Sequence, residues 1–553
     1  MNSIELAKFR AKFPILAEKV NAKPLVYFDN GATTQKPEIV INTEKQYYQQ
    51  FNANVHRAAH QLSAQATSAF ELARTKVQQF IHAKHAHEII WTKGTTESIN
   101  LVAQSWGNKN LTSGDEIVLS YAEHHANIVP WQMIAEQTGA KVNVLELDDS
   151  GKIDDKKIAS MITNKTKLVC CSHISNVIGK INPIEKIIAR AKAVGAKTLL
   201  DGAQAIANIP VNVQQLDCDF YVFSAHKMYG PTGVGVLYGK EAELNAMPVY
   251  QTGGEMIKSV SFSGSSFHQL PFKFEAGTPN IAGVIAFSAA IDFINHFSLN
   301  QADKYKQSLI DYCFEQLSLI KEVKLLTIGK PDIPLFSFIL DGHHQKDIGS
   351  YLDAQGIAVR VGHHCAMPLM EYFSISGCVR VSLASYNSLV EIDYFITSLK
   401  RFIGGESDEI IMKPSKPFEN SVSKTQFLLD KFAQVKSWDA KHREIMLLGK
   451  TLPRMPKELR TDQTLISGCE SAAWLSVTIS STGVFTFSAD SDAKVIRGLL
   501  VIVLAAFDHK SAEQILAFDI DQYFNELGLI QHLSPSRGNG LLAIVTKIKQ
   551  AVS

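Results

Sequence analysis

Five apolar runs of five or six residues recur in the first half of the chain: EIVLS (116–120), KLVCC (167–171), KTLLD (197–201), DFYVFS (219–224) and VGVLYG (234–239). Between them lie segments with helical spacing of apolar residues, such as 184–194. Runs so short and so uniformly apolar read as strands covered on both faces, with the intervening helices as the cover. The pattern predicts an α/β layered domain on a parallel sheet, spread over residues 25–239.

A second region, 291–403, opens with a long amphipathic helix pattern and then mixes helices with strands such as LFSFIL (335–340) and CVRVSL (378–383). The segment GGESDEIIMKPSKPFENSVS (404–423) is polar, begins with paired glycines and holds two prolines, the composition of a linker. Beyond it, 424–553 has helix patterns of its own and a hairpin signature, AWLSVTISSTGVFTFSAD (473–490), with Ser-Thr-Gly at the turn. That length suffices for an independent core.

Composition narrows the function classes. Lys+Arg is 55 against Asp+Glu 54, so nothing in the charge recruits nucleic acid or an anionic membrane. The most apolar stretch, LLVIVLAAF (499–507), falls short of the roughly 20 residues that cross a bilayer and reads as a buried helix. The start, MNSIELAKFRAKF, carries Glu5 and no apolar core of a secretion signal. Seven cysteines, an odd count without framework spacing, point to a reducing compartment. The expectation is a cytoplasmic protein.

Chemistry concentrates in residues 199–239, LLDGAQAIANIPVNVQQLDCDFYVFSAHKMYGPTGVGVLYG. Asp201 ends one apolar strand, where open parallel sheets place ligand groups. Ser224, His226 and Lys227 follow another, and glycines come next. An acid and a lysine so placed suit pyridoxal phosphate: the lysine forms a Schiff base, and the acid keeps the pyridine nitrogen protonated. Gly94-Thr95-Thr96-Glu97-Ser98, before the helix-like INLVAQSW, offers backbone N–H groups and hydroxyls to a phosphate. Taken singly, each feature has a plain reading: a structural acid, an ordinary helix start, a solvated lysine.

Together with YFDNGATTQKP (27–37), NVHRAAHQLS (54–63), GTTESINLVAQSW (94–106), EHHANIVPWQ (123–132), DGAQ (201–204), SAHKMYGPTG (224–233) and FEAGTPN (274–280), these residues resemble the class V aminotransferase-fold cysteine desulfurases, most closely the SufS type. The resemblance covers residues 1–403 and implies PLP fold type I: a large domain (about 25–290) on a parallel or mixed sheet, and a small α+β domain (about 1–24 plus 291–403). It implies that Lys227 is the Schiff-base lysine and shuttles the substrate Cα proton. Asp201 faces the pyridinium, Gln204 the ring 3′-oxygen, and His124 stacks on the ring and moves protons. Thr95, Thr96, Ser224 and His226 hold the phosphate. Thr278 reaches the phosphate of the neighbouring subunit, so a homodimer is part of the expectation. Asn176 and Arg380 hold the substrate carboxylate, with Arg360 beside them; a guanidinium fork can bind both oxygens.

In VRVGHHCAMPLM (359–370), three successive potential metal ligands invite a zinc reading. Adjacent side chains on an extended segment point to opposite faces, and no Cys-x-x-Cys or His-x₃-His partner stands nearby. The R-x-G-H-H-C loop of SufS-type desulfurases implies instead that Cys365 attacks the sulfur of the cofactor-bound cysteine, leaving alanine and a persulfide. A thiolate there needs cationic or dipolar neighbours, for which Arg360, His363 and His364 are the candidates. Val361, Ala225 and Met228 depart from the motifs, and none is a reacting group.

LISGCESAAW (465–474), SADSDAKVIRGLL (488–500) and LIQHLSPSRGNGL (529–541) resemble SufE, the sulfur-acceptor partner of SufS, over 424–553. An α+β domain follows from that, with Cys469 as its persulfide carrier and Asp492 and Arg537 flanking its loop; Glu470 replaces the commoner Gln. Cys170, Cys171, Cys218, Cys313 and Cys378 read as small hydrophobes. The expected activity is conversion of L-cysteine to L-alanine with sulfur relayed from Cys365 to Cys469 and on to an iron–sulfur scaffold of the SufBCD type. A 20-residue linker spans on the order of 25 Å, which holds the two thiols at roughly millimolar effective concentration. The alternatives are a selenocysteine lyase, and a C-terminal region that serves as a docking module.

Overall fold

The structure, a computed structural model, describes residues 3–57, 59–296, 299–405, 424–435, 438–466, 472–480, 482–529 and 535–552. The expected linker, apart from its two glycines, lies outside the described residues. The chain packs as two compact units. One comprises Met1–Glu18, Pro24–Ile339 and Ala358–Ile396, the other Lys19–Lys23, Leu340–Ile357 and Thr397–Ser553.

The first unit is organised by a seven-stranded sheet. Its strands are β1 (Ile89–Thr92), β2 (Glu116–Ser120), β3 (Lys141–Leu145), β4 (Thr166–Ser172), β5 (Lys197–Asp201), β6 (Phe220–Ser224) and β7 (Gly235–Gly239). Their spatial order is β1-β7-β6-β5-β4-β2-β3. Strands β3, β2, β4, β5 and β6 run parallel. All five residues of β6 are buried, as are Cys170 and Cys171 in β4, so both faces are covered as the uniform apolar runs predict. The run at 234–239 departs from the expected parallel arrangement: β7 pairs antiparallel with both β6 and β1. Only ten residues separate β6 from β7, fewer than the dozen or so that a parallel crossover needs. Gly235 is required where β7 passes the end of β1, since a Cβ there would meet Gly94 Cα at 2.3 Å.

Helix α1 (Gln61–Phe80) buries Arg74. Its guanidinium is held by Glu275 (2.7 and 3.0 Å) and Glu71, and Glu275 also accepts from the Trp91 N–H of β1. A buried charge is tolerable only when paired in this way. Helix α2 (Thr95–Val102) follows β1 directly, and helix α3 (Ile281–His296) is buried along nearly its whole length. A second sheet of four strands includes Leu335–Leu340 and Cys378–Ser382, the two runs predicted as strands, and Arg360–Gly362 pairs with the latter.

In the second unit, the predicted hairpin forms from Ala473–Ile479 and Val484–Ser491, paired antiparallel. The apolar stretch at 499–507 lies in helix α4 (Lys494–Phe507), which is buried along most of its length. Among the described residues no helix is long and apolar enough to cross a membrane. Helix α4 crosses the helix Trp438–Thr451 so closely that a Cβ on Gly498 would lie 1.8 Å from the Ile445 carbonyl oxygen. Gly498→Ala must force the two helices apart and is expected to destabilise this unit by about 3 kcal/mol. Hydrogen–deuterium exchange of peptides from 438–507 in the whole chain, faster in the variant, checks it.

Asp490, fully buried at the end of the hairpin, is the other fixed point of this unit. Its carboxylate meets Arg460 (2.7 Å), Arg454 (3.3 Å) and Arg497 (3.4 Å) and accepts from the Met455 and Ser491 N–H groups. Asp492, two residues on, donates its N–H to the Ala472 carbonyl, and the Ser491 hydroxyl donates to that same oxygen at 2.7 Å. Cys469 lies outside the described residues, as does the side chain of Arg537.

Candidate active site

The parallel strands end together, and the groups just past their C-terminal ends line one cavity of about 210 Å³. Asp201 comes from the end of β5, Ser224 from the end of β6, and His226 and Lys227 from the short 3₁₀ turn that follows. His124 stands four residues beyond β2, and Thr95 and Thr96 open α2. Gln204, Asn176, Arg360, His364, Cys365 and Arg380 complete the lining. The structure thus gathers thirteen of the residues selected from sequence around one space. Thr278 is exposed and does not line it.

At the start of α2 the Thr95 N–H and hydroxyl both meet the Ser224 hydroxyl, at 2.8 and 2.7 Å. This is a cluster of hydroxyls and backbone donors at a helix N-terminus, suited to a phosphate. Asp201 is buried and accepts from the Ala203 N–H at 2.9 Å. Burial pushes its carboxyl above the usual range, and the Lys227 charge pulls it back. Burial lowers the Lys227 ammonium to about 8, against the opposing pull of Asp201 and with Arg380 and Arg360 adding to the effect. His124 is lowered to about 4, by burial first and then by Lys227, so its imidazole is neutral at pH 7; its Nδ1 accepts from the Ala126 N–H. Gln204 donates to the Gly31 carbonyl at 2.7 Å. A buried carboxylate, an amine easily freed of its proton and a hydroxyl-rich helix start around one cavity fit pyridoxal phosphate.

Arg380 is buried and already holds two acceptors, the Asn176 carbonyl (2.9 Å) and Asp29 (3.1 Å). Its Nε is buried and meets no acceptor among the described residues. The open two-armed fork expected from sequence is therefore partly engaged, and a carboxylate has to share it with Asp29. Arg360 is about two-fifths exposed and lies 3.8 Å from the other Asp29 oxygen. Asp29 was legible only as a letter of the YFDNGATT motif, because its partners are more than 300 residues away.

Cys365 follows His364, and both adopt left-handed backbone, φ 56° and 53°. Cationic or dipolar neighbours are expected here, and His364 falls in the dipolar class. His364 is held well below the usual imidazole range by burial and by Arg380 and Arg360, and its Nε2 faces the Cys378 carbonyl at 3.2 Å. His363 Nδ1 accepts from the Cys365 N–H at 3.1 Å. Among the candidates Arg360 remains the cation on the lining. Asn176 donates to the His364 carbonyl at 2.8 Å, so it holds the cysteine loop.

Glu123, which the sequence did not single out, is fully buried behind His124. It accepts from the Ser120 hydroxyl, from Asn127 (2.7 Å) and from the Ser172 N–H (3.0 Å), and burial pushes it up to about 7. Cys170, Cys171, Cys218, Cys313 and Cys378 are all buried, and burial raises each thiol.

Comparison with known proteins agrees over both parts of the chain. Residues 26–395 match the aminotransferase class-V family, and residues 426–552 match the SufE family, an Fe–S metabolism associated domain. A cysteine desulfurase of Escherichia coli O127:H6 is 48% identical over 396 residues, which is 71% of this chain and 97% of that protein. The crystal structure of the cysteine desulfurase CsdA (S-sulfonic acid) from Escherichia coli superposes with a TM-score of 0.68 at 40% identity, covering 73% of this chain and 99% of that one. The apo structure of a cysteine desulfurase from Thermococcus onnurineus NA1 gives 0.67 at 37% identity, over 71% and 98%.

Proposed function

We propose, from the premise that this chain belongs to the class-V aminotransferase family and is a pyridoxal phosphate-dependent cysteine desulfurase carrying a SufE domain, that it converts L-cysteine to L-alanine and passes the sulfur from Cys365 to Cys469. The observation that carries the reading is one cavity lined at once by Lys227, Asp201 and Cys365. Pyridoxal phosphate bound there supplies an electron sink for bonds at the substrate's Cα and Cβ.

Each residue then has a task. Lys227 carries the cofactor and moves the proton at the substrate Cα; an amine lowered to about 8 exchanges protons readily near neutral pH. With the cofactor bound, Asp201 would pair with the pyridine nitrogen and Gln204 with the 3′-oxygen, and His124 would cover the ring and move protons. Thr95, Thr96, Ser224 and His226 hold the phosphate, with Thr278 of a second copy completing it in a homodimer. Arg380, with Asn176 and Arg360, orients the substrate carboxylate. The Cys365 thiolate attacks the substrate sulfur: an S–S bond forms, the Cβ–S bond breaks, and the carbon keeps the electron pair and takes a proton. The products are Cys365 persulfide and L-alanine.

In the second transfer the Cys469 thiolate attacks the outer sulfur of that persulfide: a new S–S bond forms, the old one breaks, and Cys365 leaves as a thiolate. We assign 1–403 to the desulfurase, 404–423 to the linker and 424–553 to the acceptor domain, in a cytoplasmic protein that serves a SufBCD-type iron–sulfur scaffold. Peptide mass spectrometry after brief exposure of the holoenzyme to L-cysteine, with alanine quantified alongside, tests the reading. Added sulfur is expected on Cys365 and Cys469, and the Cys469 label is expected to vanish in Cys365→Ser. Sulfur on Cys365 alone would make the C-terminal domain a docking module.

A further inference from the structure

The loop that carries Cys365 is held in an unfavourable conformation from outside. Two successive residues without glycine's freedom, His364 and Cys365, have φ of 53° and 56°. Such backbone persists only where its surroundings impose it. Asn176 holds the His364 carbonyl, and the next stretch of the loop is held by one residue of a distant segment, His125. Its N–H donates to the Cys365 carbonyl at 2.7 Å, and its ring Nε2 accepts from the Met367 N–H at 2.9 Å. The same residue, through its backbone on one side and its ring on the other, thus grips the loop on both sides of Ala366. His363, whose Nδ1 accepts from the Cys365 N–H, stacks on the His125 ring with centroids 5.6 Å apart and planes 30° apart.

A backbone N–H can only donate, so the two ring atoms that face Met367 and Cys365 must carry lone pairs. Both ring nitrogens act here as acceptors. Burial and the neighbouring His363 hold His125 below the ordinary histidine range, in keeping with that role. His125 also directly follows His124, on the cavity lining, so a single dipeptide ties the cofactor's wall to the nucleophile's loop.

We propose that His125 is the positioning residue of the sulfur-accepting loop: its imidazole Nε2 and its N–H pin residues 365–367 so that the Cys365 sulfur is presented to the cavity. This rests on the assignment of Cys365 as the first sulfur acceptor. The role separates into two demands. The acceptor at the ring position matters, and the imidazole itself does not. Glutamine places a carbonyl oxygen near the position of Nε2, while alanine removes the acceptor and leaves the backbone N–H.

The test uses the holoenzyme and compares His125→Ala with His125→Gln by rapid quenching and peptide mass spectrometry. In His125→Ala, the rate of persulfide formation on Cys365 is expected to fall at least about tenfold. Iodoacetamide alkylation of Cys365 in the resting enzyme should speed up as the loop loosens. Cofactor absorbance of the resting enzyme should match the parent, since it reports the cavity and not the loop. His125→Gln is expected to recover persulfide formation to within about threefold of the parent. An unchanged rate in His125→Ala, equal impairment in Ala and Gln, or a disturbed cofactor spectrum in Ala would each overturn the proposal. Absence of persulfide on Cys365 in the parent itself would instead overturn the assignment on which it rests.

Discussion

Lys227→Ala is expected to lower desulfurase turnover by at least about 10³-fold, close to 4 kcal/mol of lost transition-state stabilisation. Two functions go together: the covalent tether of the cofactor and the proton carrier at the substrate Cα. The accompanying chemical result is sharper than the rate. Borohydride reduction of the parent enzyme should fix the cofactor's mass on the peptide containing Lys227, and in the variant no peptide should gain it. The surroundings of the amine add a pH dependence. Burial lowers Lys227 to about 8, so at pH 7.5 about a quarter of the apoprotein carries the free amine, against about one part in a thousand for an ordinary lysine. Only the free amine condenses with an aldehyde. Uptake of pyridoxal phosphate by the apoprotein should therefore accelerate as pH rises, with a midpoint near 8. A midpoint at or above 10, or borohydride labelling elsewhere in the chain, would remove Lys227 from the role.

Cys365→Ala is expected to cut L-cysteine turnover by at least about 10³-fold, as loss of a nucleophile commonly does. Cofactor absorbance should be retained, because Cys365 lines the cavity while the hydrogen bonds that hold Thr95, Ser224, Asp201 and Gln204 are made to other groups. Selenocysteine distinguishes nucleophilic help from general damage. Selenium leaves carbon more easily than sulfur, so cleavage of L-selenocysteine should fall far less than cleavage of L-cysteine. Alanine release from the two substrates, measured in parallel, checks this. Equal losses would mean that the substitution collapses the site, and undiminished cysteine turnover would mean that sulfur leaves by another route.

The architecture was readable wherever a local pattern carried the information. Short, wholly apolar runs identified the buried strands, and glycine, threonine and lysine placed just beyond them marked the end of the sheet where ligands gather. The prediction for 234–239 went wrong in one respect. Its composition matches a parallel strand, while the ten residues before it are too few for a crossover, so connection length, not composition, decides its direction. The histidines beside Cys365 show a different gap. Residue type left cationic and dipolar roles both open, and burial beside two arginines puts the ring of His364 in the dipolar one.

Lys227, Asp201, the helix start at Gly94 and the Cys365 loop were thus legible in the sequence alone, since each belongs to a short motif of neighbouring residues. Tertiary structure alone decided what holds them. Asp29 reaches Arg380 across 351 positions, Arg74 reaches Glu275 across 201, and His125 reaches Met367 across 242. Periodicity and motif spacing report on neighbours within a turn or a strand. Pairs this far apart meet only when the sheets and the loops at their ends have closed around the cavity, and burial there decides which of their groups carry charge.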